Sequence, residues 1–226
     1  MVRKDTVMFS IEDLERPRTI SEVYSFVKMV LDETKKSDEL TCMARVRRNK
    51  FYNKFLIEYY PLYVHLKHVK YNPGTIFKYI IGNQGYDFEV FDNNNKLIEK
   101  IEVTYPHDGK KFVTHGRQLN IQGYSDVEVG DLKKIQKEYI SSIIKNISEK
   151  KSKKDYSDCS LIILIDPHMY FWLDDEAHQN KFKKDIMRKI DHMKINAKKI
   201  FVCTIPIEYC YGKGTKYLDI HFTIKE

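Results

Sequence analysis

Apolar residues recur along this chain with two different periods. From 19 to 35, Ile20, Val23, Tyr24, Val27, Val30 and Leu31 fall three or four apart, which predicts an amphipathic helix capped by Thr19 or Ser21. A second helix is predicted over about 43–60, with Val46, Phe51, Phe55 and Leu56 inward, ending near Pro61. The pattern then changes to alternation. "TIFKYII" reads as a strand, and residues 87–91 and 97–105 read as two more, joined by an Asp-Asn-Asn-Asn turn. Leu132, Ile135, Tyr139, Ile143 and Ile147 predict a helix from Asp131 to about Lys150. "SLIILID" is uninterrupted by polar residues, the pattern of a strand covered on both faces. A helix over about 174–194, a buried strand "KKIFVCTIP" and an edge strand in "TKYLDIHFTIKE" complete the order. Residues 1–18 read as irregular, "LYVHLKHVKYNPG" as ambiguous, and 106–130 as one long loop. A meander followed by helix–strand alternation predicts an α/β fold with a mixed sheet.

Composition narrows the partners. The chain has 226 residues, 42% of them hydrophobic, which is enough for a core of ordinary domain size. Its formal net charge of +7 suits a polyanionic partner such as nucleic acid, and equally an ordinary lysine-rich surface. The four cysteines, Cys42, Cys159, Cys203 and Cys210, show no CxxC spacing, so neither a disulfide framework nor a zinc ribbon is expected. The N-terminal residues lack the apolar run of a signal peptide. No stretch reaches the roughly 18 apolar residues of a membrane span. A cytoplasmic protein without a membrane partner is the expectation.

The strands at 87–91 and 97–105 carry the candidate chemistry. Alternation puts Asp87, Glu89 and Phe91 on one face of the first strand. On the second, Lys100, Glu102 and Thr104 lie on one face, and Ile101 and Val103 on the other. If the faces match, Asp87 and Glu102 converge, and a hard divalent cation would relieve their repulsion. Each carboxylate also has an ordinary place: Asp87 can simply open a strand after "GNQG", and Glu102 can face solvent.

This order of elements resembles the PD-(D/E)XK nuclease superfamily, with its restriction-endonuclease-like fold. The residues that carry the resemblance are "GYD", ending at Asp87, and "EVT", starting at Glu102, followed by the "GDLKKIQKEYISSIIKNI" helix and the "SLIILID" strand. It covers roughly residues 45–206. The resemblance implies an N-terminal helical extension over residues 1–44 and a core over 45–226, with a mixed β-sheet flanked by helices. It implies a metal-dependent nuclease that hydrolyses phosphodiester bonds, in DNA more than RNA. Asp87, Glu102 and the Val103 carbonyl would hold Mg²⁺ or Mn²⁺, and Glu58 would be the helix carboxylate. A homodimer is the assembly that double-strand cutting would use. The chain departs from the family pattern twice: Tyr86 replaces the usual proline, and Thr104 replaces the usual lysine. Lys100, or a loop cation among Lys110, Lys111 and Arg117, would then supply the positive charge. Without one, the chain would be a nuclease-derived binding or inhibitory protein.

Other clusters are weaker. "RVRRNKFYNKF" interleaves Arg45, Arg47 and Arg48 with aromatics, as nucleic-acid contact or as a solvated helix face. "HGRQ" places His115 beside Arg117, in a phosphate contact or a plain loop tip. Asp166-Pro-His168 follows a buried strand, where α/β sheets often place sites. His65 and His68 share helical spacing, but no third zinc ligand lies near them in sequence.

Overall fold

The chain enters its sheet early in the computed structural model, which describes residues 9–46, 50–82, 84–105, 109–124, 131–153, 155–165, 176–204 and 221–225. Within residues 1–18, expected to be irregular, the chain instead forms α1 (Ile11–Glu15) and enters β1 (Arg18–Thr19). The reason is a capping box: Asp13 N–H donates to Ser10 Oγ at 3.2 Å, and Ser10 N–H donates to Asp13 Oδ2 at 2.7 Å. The next helix, α2 (Ile20–Lys36), follows the expected stripe, with Val23, Val27 and Val30 buried. Glu22 fixes its start by accepting the Thr19 backbone N–H at 2.8 Å.

The second predicted helix is several. After α3 (Asp38–Val46), α4 (Lys50–Lys54) runs through a π-helical turn (Phe55–Tyr59) into α5 (Tyr60–Leu66). Pro61 therefore does not end the helix. The Tyr60 N–H bonds to the Phe55 carbonyl, so the ladder has already slipped by one residue where Pro61 has no N–H to give.

The strands β2 (Ile76–Tyr79), β3 (Phe88–Phe91) and β4 (Leu97–Thr104) form the expected antiparallel meander. Asp92 closes its turn by accepting the N–H groups of Asn94 and Lys96 at 2.8 and 2.9 Å. Residues expected to be one long loop contain α6 (Gly109–Gln122), which packs on α3 and donates Asn120 Nδ2 to the Cys42 carbonyl at 2.9 Å. Then come α7 (Leu132–Lys153), β5 (Tyr156–Ile165), α8 (Glu176–His192), β6 (Ala197–Thr204) and β7 (His221–Lys225).

The seven strands lie in chain order in one mixed sheet. β4, β5 and β6 are mutually parallel, while β7 adds antiparallel at the far side. Helices cover both faces. Ile101, Val103, Ile162, Leu164 and Phe201 pack against α1, α2 and the π turn through Leu14, Val23, Phe26 and Phe55. Leu161, Ile163, Ile165 and Val202 pack against α7 and α8 through Ile143, Ile147, Ile186 and Ile190. β5 is thus apolar on both sides, as its unbroken sequence required. Residues before 45, read as an extension, supply Leu14, Val23, Phe26, Val27 and Val30 to the first of these clusters. Among the described residues, no helix is long and apolar enough to cross a membrane.

Candidate functional site

The turn before β3 delivers Asp87. Gly85 has φ +93°, a backbone state that glycine adopts without cost. Gln84 braces the turn, donating its Nε2 to the carbonyls of Ile80 and Tyr86 at 3.0 and 2.9 Å. Asp87 then bonds to both neighbours of Glu102. Its backbone N–H donates to the Ile101 carbonyl at 2.8 Å, and its Oδ2 accepts the Val103 N–H at 2.7 Å. Ile101 and Val103 point into the core shared with α2, so Glu102 and Thr104 take the opposite face. Glu102 is 8% exposed and Thr104 3%. The Tyr156 phenol feels both carboxylates: burial first, then the charges of Glu102 and Asp87, push it up to about 12.

A second carboxylate, Glu58, meets Tyr79, whose phenol also feels the charge of Asp87. The Tyr79 hydroxyl donates to Glu58 Oε2, and Lys54 Nζ lies 3.3 Å from the same oxygen and 3.4 Å from the phenol oxygen. Glu58 sits within the π turn, a geometry frequent at functional sites. Burial, then Glu58, Asp87 and Glu15, raise the Tyr79 phenol far above its ordinary value. Glu15 accepts the Ile81 N–H at 3.4 Å. Lys54 was not singled out by sequence as a site residue. Its i,i+4 spacing to Glu58 is the signal that could have found it.

The other sequence-derived residues are dispersed. Lys100 pairs with Asp158 at 2.7 Å and lies over the Tyr86 ring, 5.0 Å from its centroid. Glu89 accepts the Tyr86 hydroxyl at 2.9 Å. Arg117 and His115 are exposed on α6. Lys110 and Lys111 lie on α6 and Arg45 on α3, with side chains outside the described set; Arg47, Arg48, Asp166, Pro167, His168 and Cys210 lie outside the described residues altogether.

The histidine pair has gained partners. His65, Cys203 and His221 offer a ring nitrogen, a sulfur and a ring nitrogen, all within 4.8 Å of one another. His65 is joined not by His68 but by two ligands from β6 and β7, far beyond α5 in the chain, where no local spacing could show them. His65 is fully buried, and burial, followed by the nearby His221, His68 and Lys199, lowers its pKa to about 3.

No protein-family model matches the chain, and comparison with curated proteins and with solved structures finds no match either.

Proposed function

We propose that this chain is a metal-dependent nuclease of restriction-endonuclease-like fold, hydrolysing phosphodiester bonds in nucleic acid, DNA more than RNA. The observation that carries the reading is the bracketing of Glu102 by Asp87, bonded to Ile101 on one side and Val103 on the other. It sets Asp87 against the β4 backbone on either side of Glu102. The order of elements agrees: a helix with Glu58, a meander with Asp87 and Glu102, then helix and parallel strand. The exposed Arg117 of α6, the basic stretch at Arg45, Arg47 and Arg48, and the net charge of +7 suit a phosphate backbone.

The donor set fits a hard cation. Two carboxylates and the Val103 carbonyl are all oxygen ligands, which Mg²⁺ and Mn²⁺ prefer. Such an ion, when bound, supplies a Lewis acid that acidifies water and neutralises phosphate charge. Asp87 and Glu102 hold it, and the Val103 N–H fixes the Asp87 carboxylate in place. Glu58, held by Tyr79 on the α2 side of the sheet, would be the carboxylate that orients water. On this reading the positive charge lost at Thr104 passes to Lys54 rather than to Lys100. Lys100 is engaged by Asp158, whereas Lys54 stands in the group that contains Glu58 and Tyr79. Lys54 therefore stabilises charge developing on the phosphate.

Cleavage of plasmid and single-stranded substrates with Mg²⁺ or Mn²⁺ tests this. Wild type cuts, while Asp87→Ala and Glu102→Ala lose cutting; equal activity in all three removes the assignment. One observation favours a second reading. Thr104 occupies the usual lysine position with its hydroxyl buried and without a hydrogen-bond partner among the described residues. A nuclease-derived binding or inhibitory protein would retain partner binding while calorimetry registers no divalent-ion binding at Asp87 and Glu102.

A further inference from the structure

We infer that His65, Cys203 and His221 form a zinc site that ties α5 to the β6–β7 edge of the sheet. Three elements converge there independently of Asp87, just before β3, and Glu102 on β4. Cys203 and His221 are register partners across the antiparallel β6–β7 pair. α5 packs across β6, and its last turn places the His65 ring 4.5 Å from that of Phe201. His65 Nδ1 lies 3.5 Å from His221 Nε2.

That separation is the one an ion would impose. Zinc–nitrogen bonds of about 2.0–2.1 Å at tetrahedral angles hold two nitrogens roughly 3.3 Å apart. A thiolate at about 2.3 Å adds a third ligand of the soft type that zinc accepts. Cys203 and His65 are both 0% exposed, so the site is dry on the protein side.

The surroundings of His65 favour the tautomer that ligation needs. The Tyr71 hydroxyl donates to Glu99 Oε2 at 3.0 Å, leaving its oxygen to accept from His65 Nε2 at 3.5 Å. With the proton on Nε2, the Nδ1 lone pair faces His221. Glu99 is itself held, accepting the Ser160 hydroxyl. A carboxylate, a phenol and an imidazole in sequence form the outer shell that orients a metal-binding histidine. His68 packs flat on His221, 4.7 Å between centroids at 12°, and buttresses its ring. The described residues supply three ligands, and tetrahedral zinc takes a fourth donor, water or a further side chain.

The full chain, stripped with chelator, is titrated with Zn²⁺ and separately with Co²⁺. Expected are one equivalent of Zn²⁺ with a rise in Tm, and a sulfur-to-cobalt charge-transfer band with visible d–d bands. Cys203→Ser abolishes the charge-transfer band, and His221→Gln, on an edge strand, weakens Zn²⁺ at least about 10-fold. Tyr71→Phe weakens it about 10-fold while keeping the band. Circular dichroism confirms that each variant is folded. Asp87→Ala keeps the zinc stoichiometry, which separates this site from the carboxylate site. No Zn²⁺ or Co²⁺ bound by the folded wild type, or affinity unchanged in both folded Cys203→Ser and His221→Gln, overturns the inference.

Discussion

Val103 donates its backbone N–H to the Asp87 carboxylate at 2.7 Å, so a side chain just before β3 occupies a ladder position of β4. The bond gives Asp87 two separable roles: closing the sheet where β3 begins, and presenting a carboxylate beside Glu102.

Asparagine separates those roles. Asp87→Asn retains an oxygen that can accept the Val103 N–H, whereas Asp87→Ala removes the acceptor. Losing an acceptor from a part-buried amide costs about 1–3 kcal/mol. Urea unfolding should therefore show Asp87→Ala destabilised by that amount and Asp87→Asn by less than half of it. Both should lose divalent-ion binding, because an amide cannot replace the carboxylate charge. Equal destabilisation of the two variants would show that charge, not the acceptor, holds the turn.

Lys54 should matter more to turnover than to stability. Its ammonium meets Glu58 and the Tyr79 hydroxyl on a partly exposed helix face, where an ion pair contributes about 1 kcal/mol or less. Lys54→Met should lower nuclease kcat about 10²-fold, the scale of removing one group that stabilises transition-state charge. Lys100→Met, which removes only the surface pair with Asp158, should leave kcat within about 3-fold if Lys54 supplies that charge. The reverse ranking would reassign the cation to Lys100.

Local periodicity made the meander, β5 and α2 legible, because alternation and helical spacing report directly which side chains face a core. The pairing of the Asp87 segment with β4 was legible for the same reason: a two-residue period and a short turn leave little freedom of register. Other features depend on tertiary partners. α1 rests on the reciprocal Ser10–Asp13 cap, and the passage through Pro61 rests on a π turn that propensity does not signal. α6 has no clean apolar stripe because it packs on α3 in part through polar groups such as Asn120. The His65–Cys203–His221 cluster was hidden by sequence distance, since sheet pairing brings Cys203 to His221 and the packing of α5 on β6 adds His65.

Alkaline titration should expose the buried tyrosines. Burial pushes Tyr59 up to about 12, and burial with nearby Glu102 and Asp87 does the same to Tyr156. Tyr71 and Tyr79 are raised further, by burial and by the carboxylates of Glu99 and Glu58. A phenol with a raised folded pKa keeps its proton where the unfolded chain, titrating near 10, has lost it. The stability it contributes is whole below about pH 10 and declines as pH rises toward 12, by roughly 3 kcal/mol for a rise of this size. Ultraviolet titration should therefore show at least four of the 16 tyrosines silent until the fold opens. Complete ionisation by pH 11 with circular dichroism unchanged would contradict their burial.

Thr104 gives the sharpest stability test near the proposed site. Its hydroxyl is buried, and Oγ1 has no hydrogen-bond partner among the described residues. A buried hydroxyl without a partner loses its hydration and gains nothing in return, at a cost of about 1–3 kcal/mol. Valine has nearly the same shape and a similar preference for a strand, so Thr104→Val removes the polar atom without opening a cavity. Thermal and urea unfolding should show the variant more stable by about 1 kcal/mol. If the hydroxyl instead serves a ligand beside Glu102, that gain appears in the apo protein and shrinks when Mg²⁺ and nucleic acid are added, because the wild type alone recovers a partner. A destabilised Thr104→Val apo protein would show that the hydroxyl is already bonded in the folded chain.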